Sequence, residues 1–240
     1  KLLSIRSNYT INKGKTMITT TAITLPNPEK MMITWDTGRR CNYDCTYCEI
    51  SRHDTYSPYH SYEDLFKTFE FIKEYAKIYD TTNQGTNIDF TGGEPTANPE
   101  FWKLAKHIKD NEPNFSCGLT TNGVWNPKRT TEILDLFHGL TVSYHPEGNE
   151  KSKAHVLENI KRLGKSGIWL QVNVMMHADY FEEVKGVCYL LKDLGIKHKP
   201  IPIGDGAIER SGWFKDTDGS MRRTSHSYSE EQQEWFFDYI

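Results

Sequence analysis

Three cysteines within eight residues place the strongest constraint on this chain. Cys41, Cys45 and Cys48 follow the spacing C-x3-C-x2-C, directly after an apolar run over residues 31–35. Thiolates this close in sequence suit a soft metal or an iron–sulfur cluster better than three separate structural roles. Because a cubane cluster has four irons, three protein ligands leave one iron open to a cofactor or a substrate. The spacing therefore predicts a metal centre just after a strand.

Two other interpretations of the triplet stay open on these residues alone. Disulfide pairing would leave one of the three cysteines over, and nothing else in the chain indicates an oxidising compartment. A structural zinc site is the more serious alternative, because His53 lies five residues after Cys48 and could complete a Cys3His tetrahedron. The residues favour the cluster over zinc.

A second motif, Gly92-Gly93-Glu94-Pro95, follows a short apolar strand pattern over residues 87–90. Adjacent glycines at the carboxyl end of a strand allow backbone groups to approach a ligand that a Cβ would block. Glu94 adds an acceptor suited to an ammonium group, and Pro95 stiffens the turn behind it. Alone the motif is a common kind of turn, but one strand after the cysteine triplet it indicates a ligand site.

With these two motifs in this order, the sequence resembles the radical S-adenosylmethionine (radical SAM) enzyme superfamily over about residues 31–203. The resemblance implies that the three cysteines bind a [4Fe-4S] cluster. It also implies that Tyr47, the aromatic residue before the last cysteine, lies at the cofactor. The residues Gly92 to Pro95 match the family's second motif, which contacts the amino group of S-adenosylmethionine.

Further site residues are expected at the ends of later strands. Asn122 follows the third strand, and Ser143 and Asn173 occupy the general positions where the resembled family places polar contacts to its cofactor. Simple solvation of strand ends would explain the same residues. His145 and Cys117 are candidate catalytic or substrate contacts, against the alternatives of a surface-turn histidine and a buried core thiol.

The order of predicted elements supports the same fold independently. Strand patterns alternate with helix patterns, which predicts a parallel sheet with right-handed crossovers. A complete (β/α)8 barrel typically needs ~250 residues and eight units. Six units predict an α/β fold, an open partial (β/α)6 barrel of the radical SAM type, with ligands at the carboxyl ends of its strands. The predicted strands cover residues 31–35, 87–90, 117–120, 140–143, 169–174 and 199–203, the last an edge strand because of its two prolines.

Composition restricts the setting of the protein. The formal net charge is −3, which gives no electrostatic case for nucleic-acid binding. No apolar run approaches the ~20 residues that span a bilayer, and the sequence begins with no secretory pattern. We therefore expect a cytoplasmic protein without membrane contact, in a compartment where an oxygen-sensitive cluster survives.

Three regions are expected along the chain: an N-terminal extension over residues 1–30, the radical SAM core over 31–205, and a C-terminal segment over 206–240. Ser229 and Gln232 form a capping-box pattern, and the helix that they begin stops at Ile240 as soon as its apolar face has formed. We expect the C-terminal segment to be truncated, and Met17 to be a plausible natural start. Beyond the triplet only Cys117 and Cys188 remain, too few for a second cluster.

The activity that the resemblance implies is reductive cleavage of S-adenosylmethionine to a 5′-deoxyadenosyl radical, which abstracts hydrogen from a substrate. An electron donor of the flavodoxin or ferredoxin type is expected. The expected substrate is a peptide or a protein, and a small molecule or a nucleotide is the alternative. A non-catalytic Cys3His zinc-binding interaction module is the alternative from another functional class.

Overall fold

The computed structural model describes the backbone of most of the chain and the side chains of its central part. Backbone is described for residues 8–12, 15–19, 30–48, 53–80, 84–203, 212–215, 221–224 and 228–240, and side chains for 30–48, 53–80, 84–203 and 228–240. Much of the expected N-terminal extension and of residues 206–227 therefore lies outside the described residues, and the expected region boundaries stay predictions.

Within the described residues, ten strands form one large sheet and two antiparallel hairpins. The large sheet is entirely parallel and has the order β3-β4-β5-β6-β7-β8, so consecutive strands are neighbours and β3 and β8 are its edges. Its strands are β3 (Met31–Asp36), β4 (Thr86–Thr91), β5 (Phe115–Thr121), β6 (Gly139–Tyr144), β7 (Trp169–Met176) and β8 (His198–Pro202). The hairpins are β1 (Asn8–Asn12) with β2 (Lys15–Thr19), and β9 (Gly212–Lys215) with β10 (Met221–Thr224).

Helices connect the successive strands of the large sheet. They are α1 (Tyr62–Tyr79), α2 (Pro99–Asn111), α3 (Thr130–Leu136), α4 (Glu150–Gly164) and α5 (Phe181–Asp193), and α6 (Glu230–Tyr239) follows later in the chain. This alternation confirms the predicted α/β fold, an open partial barrel of six parallel strands. The edge position predicted for the proline-containing last strand is also confirmed.

The sheet separates a helix-covered core from the inner face of the partial barrel. Along β7, Leu170, Val172 and Val174 are buried in the core, whereas the alternate residues Asn173 and Met175 lie on the opposite face. The core receives large side chains from every intervening helix, including Phe69, Phe101, Leu104, Ile108, Ile133, Ile160, Leu163 and Val184. This two-residue period is what leaves the inner face free to carry polar site residues.

Local capping signals fix where most helices begin. Ser61 accepts a hydrogen bond from the Asp64 backbone at the start of α1, and Asn98 caps α2, whose first residue is Pro99. Asn126 caps a short 3-10 turn over Pro127–Arg129 that comes before α3. The helix α3 ends at Leu136, and Gly139 is the first residue of β6.

In the segment from residue 228 onward, Tyr228 contacts the carboxyl ends of the last two strands of the large sheet and α6 packs against α5. The predicted capping box of Ser229 and Gln232 is present at the start of α6. Just before it, the hydroxyl of Tyr228 donates a hydrogen bond to the Met176 carbonyl (2.5 Å) and accepts one from the Ile203 backbone (2.9 Å). Among the described helices, none combines the length and the apolar character that a membrane crossing requires.

Candidate active site

A cavity of about 690 Å³ opens at the carboxyl edge of the parallel sheet. The loops that follow β3, β4, β5 and β6 contribute to its wall, together with the ends of β7 and β8. The lining residues are Asp36, Cys41, Tyr43, Cys45, Tyr47, Cys48, His53, Thr91, Gly92, Gly93, Thr120, Thr121, Asn122, Ser143, His145, Met175, Ile201, Pro202 and Ile203. Both sequence motifs therefore meet at one site, at the edge of the sheet where the fold predicts ligands.

The loop after β3 brings all three cysteines of the triplet to this cavity. Cys45 is buried, Cys41 and Cys48 are half-buried, and none of them forms a disulfide. A turn closes the C-terminal half of the loop, with the backbone N–H of Cys48 donating to the Cys45 carbonyl at 3.1 Å. In the ligand-free protein, burial raises the pKa of the Cys41 thiol to about 11 and that of Cys45 to about 12, so both thiols hold their protons at neutral pH.

The donor set fits an iron–sulfur cluster better than a single metal ion. Within the described part of the chain, no three His, Cys, Asp or Glu side chains converge closely enough to hold one ion. The cysteines of a cubane bind different irons, so their sulfurs stand farther apart than the ligands of one ion. Three thiols that share one cavity without converging on a point therefore fit a cluster, and binding it would release their protons.

The glycines of the second motif allow its loop to pack against the cysteine loop. The backbone N–H of Gly93 donates to the Gly38 carbonyl at 2.7 Å, and that of Glu94 donates to the Arg40 carbonyl at 2.9 Å. A Cβ on Gly93 would lie 2.3 Å and 2.4 Å from the carbonyl oxygens of Arg39 and Arg40. Glycine is therefore required at position 93 because this residue packs directly against the backbone of the cysteine loop.

The side chain of Glu94 accepts several hydrogen bonds from within the protein. It is 2% exposed, and it accepts hydrogen bonds from the backbone and hydroxyl of Thr96, the hydroxyl of Thr121 and the backbone of Asn122. Burial raises the pKa of this carboxyl group, and the hydrogen bonds from Thr96, Asn122 and Thr121 oppose the effect. Glu94 is not among the residues that line this cavity, and its contact with an ammonium group stays a prediction. Pro95, next to it, is buried and begins a short 3-10 turn.

The other expected site residues separate into two groups. Asn122 and Ser143 line the cavity, and the Asn122 amide donates to the side chain of Asn42 in the cysteine loop at 2.6 Å. Asn173 pairs in register with Ser143 but lies outside the cavity wall, and its Oδ1 atom is buried without a hydrogen bond among the described residues. Cys117 is 4% exposed and belongs to the helix-facing core, as the alternative of a buried core thiol expects, because the strand period places it on the same face as Leu119.

The loop after β6 supplies an aromatic contact to the cysteine loop. The Nδ1 atom of His145 lies 2.6 Å from the hydroxyl of Tyr47 and 3.7 Å from the sulfur of Cys45. The rings of His145 and Tyr47 stack with centroids 5.9 Å apart and planes 8° apart. Burial lowers the pKa of His145 to about 4, against the opposing effect of the Glu147 carboxylate, so the imidazole is neutral at physiological pH.

Two residues from the same corner of the sheet hold the cysteine loop from its other side, and sequence patterns gave no signal for them. The carboxylate of Glu147 accepts from the backbone N–H of Thr46 at 2.8 Å, from the Thr46 hydroxyl at 2.6 Å and from Nε2 of His177 at 3.1 Å. Burial raises the pKa of Glu147, but hydrogen bonds from His177 and Thr46 outweigh it and lower the pKa to about 2. Glu147 is therefore a permanent anion that links three loops.

His53 reaches the cavity because its neighbour is anchored beside the first cysteine. The backbone N–H of Cys41 donates to the Asp54 carbonyl at 2.8 Å, and that of Asp54 donates to the Arg39 carbonyl at 3.0 Å. The imidazole of His53 is buried, and neither ring nitrogen makes a hydrogen bond to the described residues. The Asp44 carboxylate is 3.4 Å from Nε2, close enough for electrostatic attraction but not aligned for a hydrogen bond. His53 is thus a buried group that faces the site without a hydrogen bond to the described residues.

Comparison with known proteins shows which family the chain is similar to. The sequence profile of the radical SAM superfamily matches residues 35–206. A GTP 3′,8-cyclase from Haemophilus ducreyi is 37% identical over 175 residues, which cover 68% of this chain and 48% of that protein. A GTP 3′,8-cyclase from Aquifex aeolicus is 29% identical over 172 residues, which cover 65% of this chain and 51% of that protein. The chain spans about half the length of the curated relatives that it matches.

Solved structures show the same fold at low sequence identity. SuiB of Streptococcus suis bound to S-adenosylmethionine superposes with a TM-score of 0.54 at 15% identity, over 89% of this chain and 45% of SuiB. SuiB bound to its precursor peptide SuiA gives a TM-score of 0.51 at 16% identity, over 71% of this chain and 39% of that one. Because the profile match covers more than half of the chain, the chain belongs to the radical SAM superfamily, a class of enzymes that use a [4Fe-4S] cluster together with S-adenosylmethionine.

Proposed function

We propose that this protein holds a [4Fe-4S] cluster through Cys41, Cys45 and Cys48 and reductively cleaves S-adenosylmethionine at the cavity. The observation that carries the proposal is the meeting of the three thiols with the Gly92-Gly93 turn on one cavity wall. The bound cluster would supply the electron that breaks the C5′–S bond, giving methionine and a 5′-deoxyadenosyl radical that abstracts hydrogen from a substrate.

The residues of this chain would bind and orient the cofactor. Because the Glu94 carboxylate is occupied by protein donors, any contact between this motif and the amino group of S-adenosylmethionine falls to the backbone of Gly92 and Gly93. Asn122 and Ser143 offer polar contacts along the neighbouring strand ends. The buried, unpaired Oδ1 of Asn173 is an acceptor on the same side of the sheet, and a ligand donor would satisfy it.

We also propose that Tyr47 lies at the cofactor. Its ring is buried between the two histidines that follow β6 and β7, stacking on His145 and presenting its face or edge to His177 at 6.0 Å. A ring fixed in this way helps to exclude water from the wall of the cavity. Enzymes of this class need an electron donor, and we propose one of the flavodoxin or ferredoxin type, in the cytoplasm.

We propose a peptide or protein as the substrate. Among the described residues that line the cavity, Asp36 is the only Asp, Glu, Lys or Arg. A wall with one acidic residue and no basic one suits a neutral or cationic group better than a polyphosphate. The complex of SuiB with a precursor peptide is consistent with this substrate class. The alternative, a nucleotide or another small molecule, is favoured by the relatives named GTP 3′,8-cyclase.

The test is anaerobic reconstitution with iron and sulfide, followed by dithionite and S-adenosylmethionine, with 5′-deoxyadenosine as the measured product. We expect product from the wild type, none from Cys45→Ala, and undiminished product from Cys188→Ala, which removes a core thiol on α5. A colourless protein that holds one zinc ion would overturn the proposal in favour of a zinc-binding module. Faster product formation on adding GTP, but not peptides, would favour the nucleotide alternative.

A further inference from the structure

Tyr47 stands between a cysteine of the triplet and a histidine from another loop. Its hydroxyl lies 2.6 Å from Nδ1 of His145, and it also hydrogen-bonds the side chain of Cys45. The three groups are held together by the stacked rings and by the edge of Tyr43, whose ring centroid is 5.8 Å from that of His145. The same Nδ1 atom also lies 3.7 Å from the Cys45 sulfur, so the phenol and the imidazole both face this cysteine, and the short contact joins the imidazole to the phenol.

When Cys45 is a metal ligand, the hydrogen bond between Cys45 and Tyr47 can have only one direction. A thiolate can only accept, so the proton between Cys45 and Tyr47 must belong to the phenol. The phenol oxygen is then left as an acceptor, and the neutral imidazole satisfies it by carrying its single proton on Nδ1. The chain of donors runs from His145 to Tyr47 to the sulfur, and each hydrogen bond polarises the next.

Resting on the proposed cluster, we propose that Tyr47 and His145 form a donor chain to the Cys45 thiolate that raises the reduction potential of the cluster. Reduction adds negative charge to the cluster and its thiolates, and a donor aimed at a sulfur stabilises that charge. Tyr47 is then a direct modulator of a cluster ligand, and His145 is a positioning residue that acts through Tyr47.

The experiment is a potentiometric titration of the reconstituted holoenzyme, followed by the electron paramagnetic resonance signal of the reduced cluster. Tyr47→Phe removes only the hydroxyl, and we expect the midpoint potential to become more negative. Tyr43→Phe is the matched control, because it makes the same change on the same loop and its hydroxyl hydrogen-bonds Ser152 instead of a cysteine. We expect it to keep the wild-type potential.

His145→Phe keeps an aromatic ring against Tyr47 but removes the donor behind it. We expect a shift in the same direction as that of Tyr47→Phe, and no further shift when His145→Phe is added to Tyr47→Phe, because the effect passes through the phenol. Unchanged potentials in both single variants would overturn the inference. So would an equal shift by His145→Phe with and without the Tyr47 hydroxyl, since the histidine would then act independently.

A second variant covers the case in which Tyr47→Phe takes up no cluster. Site-specific 3-fluorotyrosine at position 47 keeps the side-chain shape and makes the phenol a stronger donor, so we expect the potential to rise. Its failure to rise would count against the donor chain. A wild-type protein without any iron–sulfur signal would overturn the proposed function and this inference with it, whereas a cluster whose potential ignores position 47 overturns this inference alone.

Discussion

Glu147 binds Thr46 through both of its carboxylate oxygens. One accepts a hydrogen bond from the Thr46 backbone N–H at 2.8 Å, and the other accepts one from the Thr46 hydroxyl at 2.6 Å. Thr46 lies between the second and third cysteines of the triplet, and Glu147 follows a strand three positions away in the sheet order. Since His177 donates to the same carboxylate, the cysteine loop is fastened before any metal binds. The site is therefore partly preorganised by the Glu147 carboxylate, which belongs to neither of the two sequence motifs.

Weakening the hydrogen bonds between Glu147 and Thr46 should make the cysteine loop more mobile in the metal-free protein. Glu147→Gln keeps the shape of the side chain but turns one acceptor into a donor, which then faces another donor. We expect faster amide hydrogen exchange at Thr46, and a coupling energy of about 1–2 kcal/mol in a double-mutant cycle with Thr46→Val. Glu150→Gln is the control, because its side chain is 92% exposed and pairs only with Lys153 nearby. Equal exchange rates at Thr46 in the two glutamine variants would contradict the role of Glu147 in holding the cysteine loop.

The buried carboxylate of Glu94 should contribute more to stability than any exposed charge. Glu94→Ala leaves donors of Thr96, Thr121 and Asn122 unsatisfied in a dry environment, and we expect the free energy of unfolding to fall by roughly 3 kcal/mol or more. Glu158→Ala, which breaks an exposed helical pair with Arg162, should cost less than about 1 kcal/mol. Urea denaturation of both variants is the measurement. Comparable losses of stability in the two variants would mean that Glu94 does not link the loop after β4 to the loop after β5.

Local signals were enough to predict most of the fold and the position of the site. Caps such as Ser61 and Asn98, and the strand and helix periods, depend on neighbours in sequence, and the cysteine triplet lies within a single loop. Of the two interpretations of Cys117, the buried core thiol agrees with the structure, and a local signal supports it. The two-residue period of β5 puts it with Leu119 in the core, on the opposite face from Thr120.

The contacts that shape the site could not be predicted in the same way. Glu147 is 101 residues from Thr46, and Glu94 is 27 residues from Thr121. Such pairs meet only because the register of parallel strands brings successive loops to one edge. Nothing in the sequence distinguishes a carboxylate that faces a ligand from one that faces other loops. The sequence therefore located the site, but it gave no sign of the hydrogen bonds that Glu94 accepts from Thr96, Thr121 and Asn122.

Gly93 should tolerate no side chain, because its Cβ position is filled by backbone oxygens. We expect Gly93→Ala to lower the free energy of unfolding by at least about 2 kcal/mol and to reduce iron uptake, since the loops at residues 38–40 and 92–94 must separate. Gly186→Ala is the matched control on an exposed face of α5. Nothing lies within 4 Å of its Cβ position, so we expect a gain of about 0.5–1 kcal/mol. A neutral Gly93→Ala would show that the two loops are not packed as described.

His53 provides the sharpest test between a cluster and a zinc site. Both of its ring nitrogens are buried without a hydrogen bond to the described residues, so His53→Leu removes two unsatisfied polar atoms. We expect the free energy of unfolding to stay unchanged or to rise by up to about 1 kcal/mol, with the iron content of the reconstituted protein retained. The measurements are urea denaturation and metal analysis of the same preparations.

The control for His53 is a second buried histidine whose ring nitrogens are both occupied. His177 donates from Nε2 to Glu147 and accepts at Nδ1 from the Asp179 backbone, so His177→Leu should cost about 1–3 kcal/mol. If His53→Leu instead lost one equivalent of zinc and a similar amount of stability, a Cys3His zinc site would replace the cluster. Retained iron with stability at or above that of the wild type would leave His53 as a cavity group whose partner is the bound ligand.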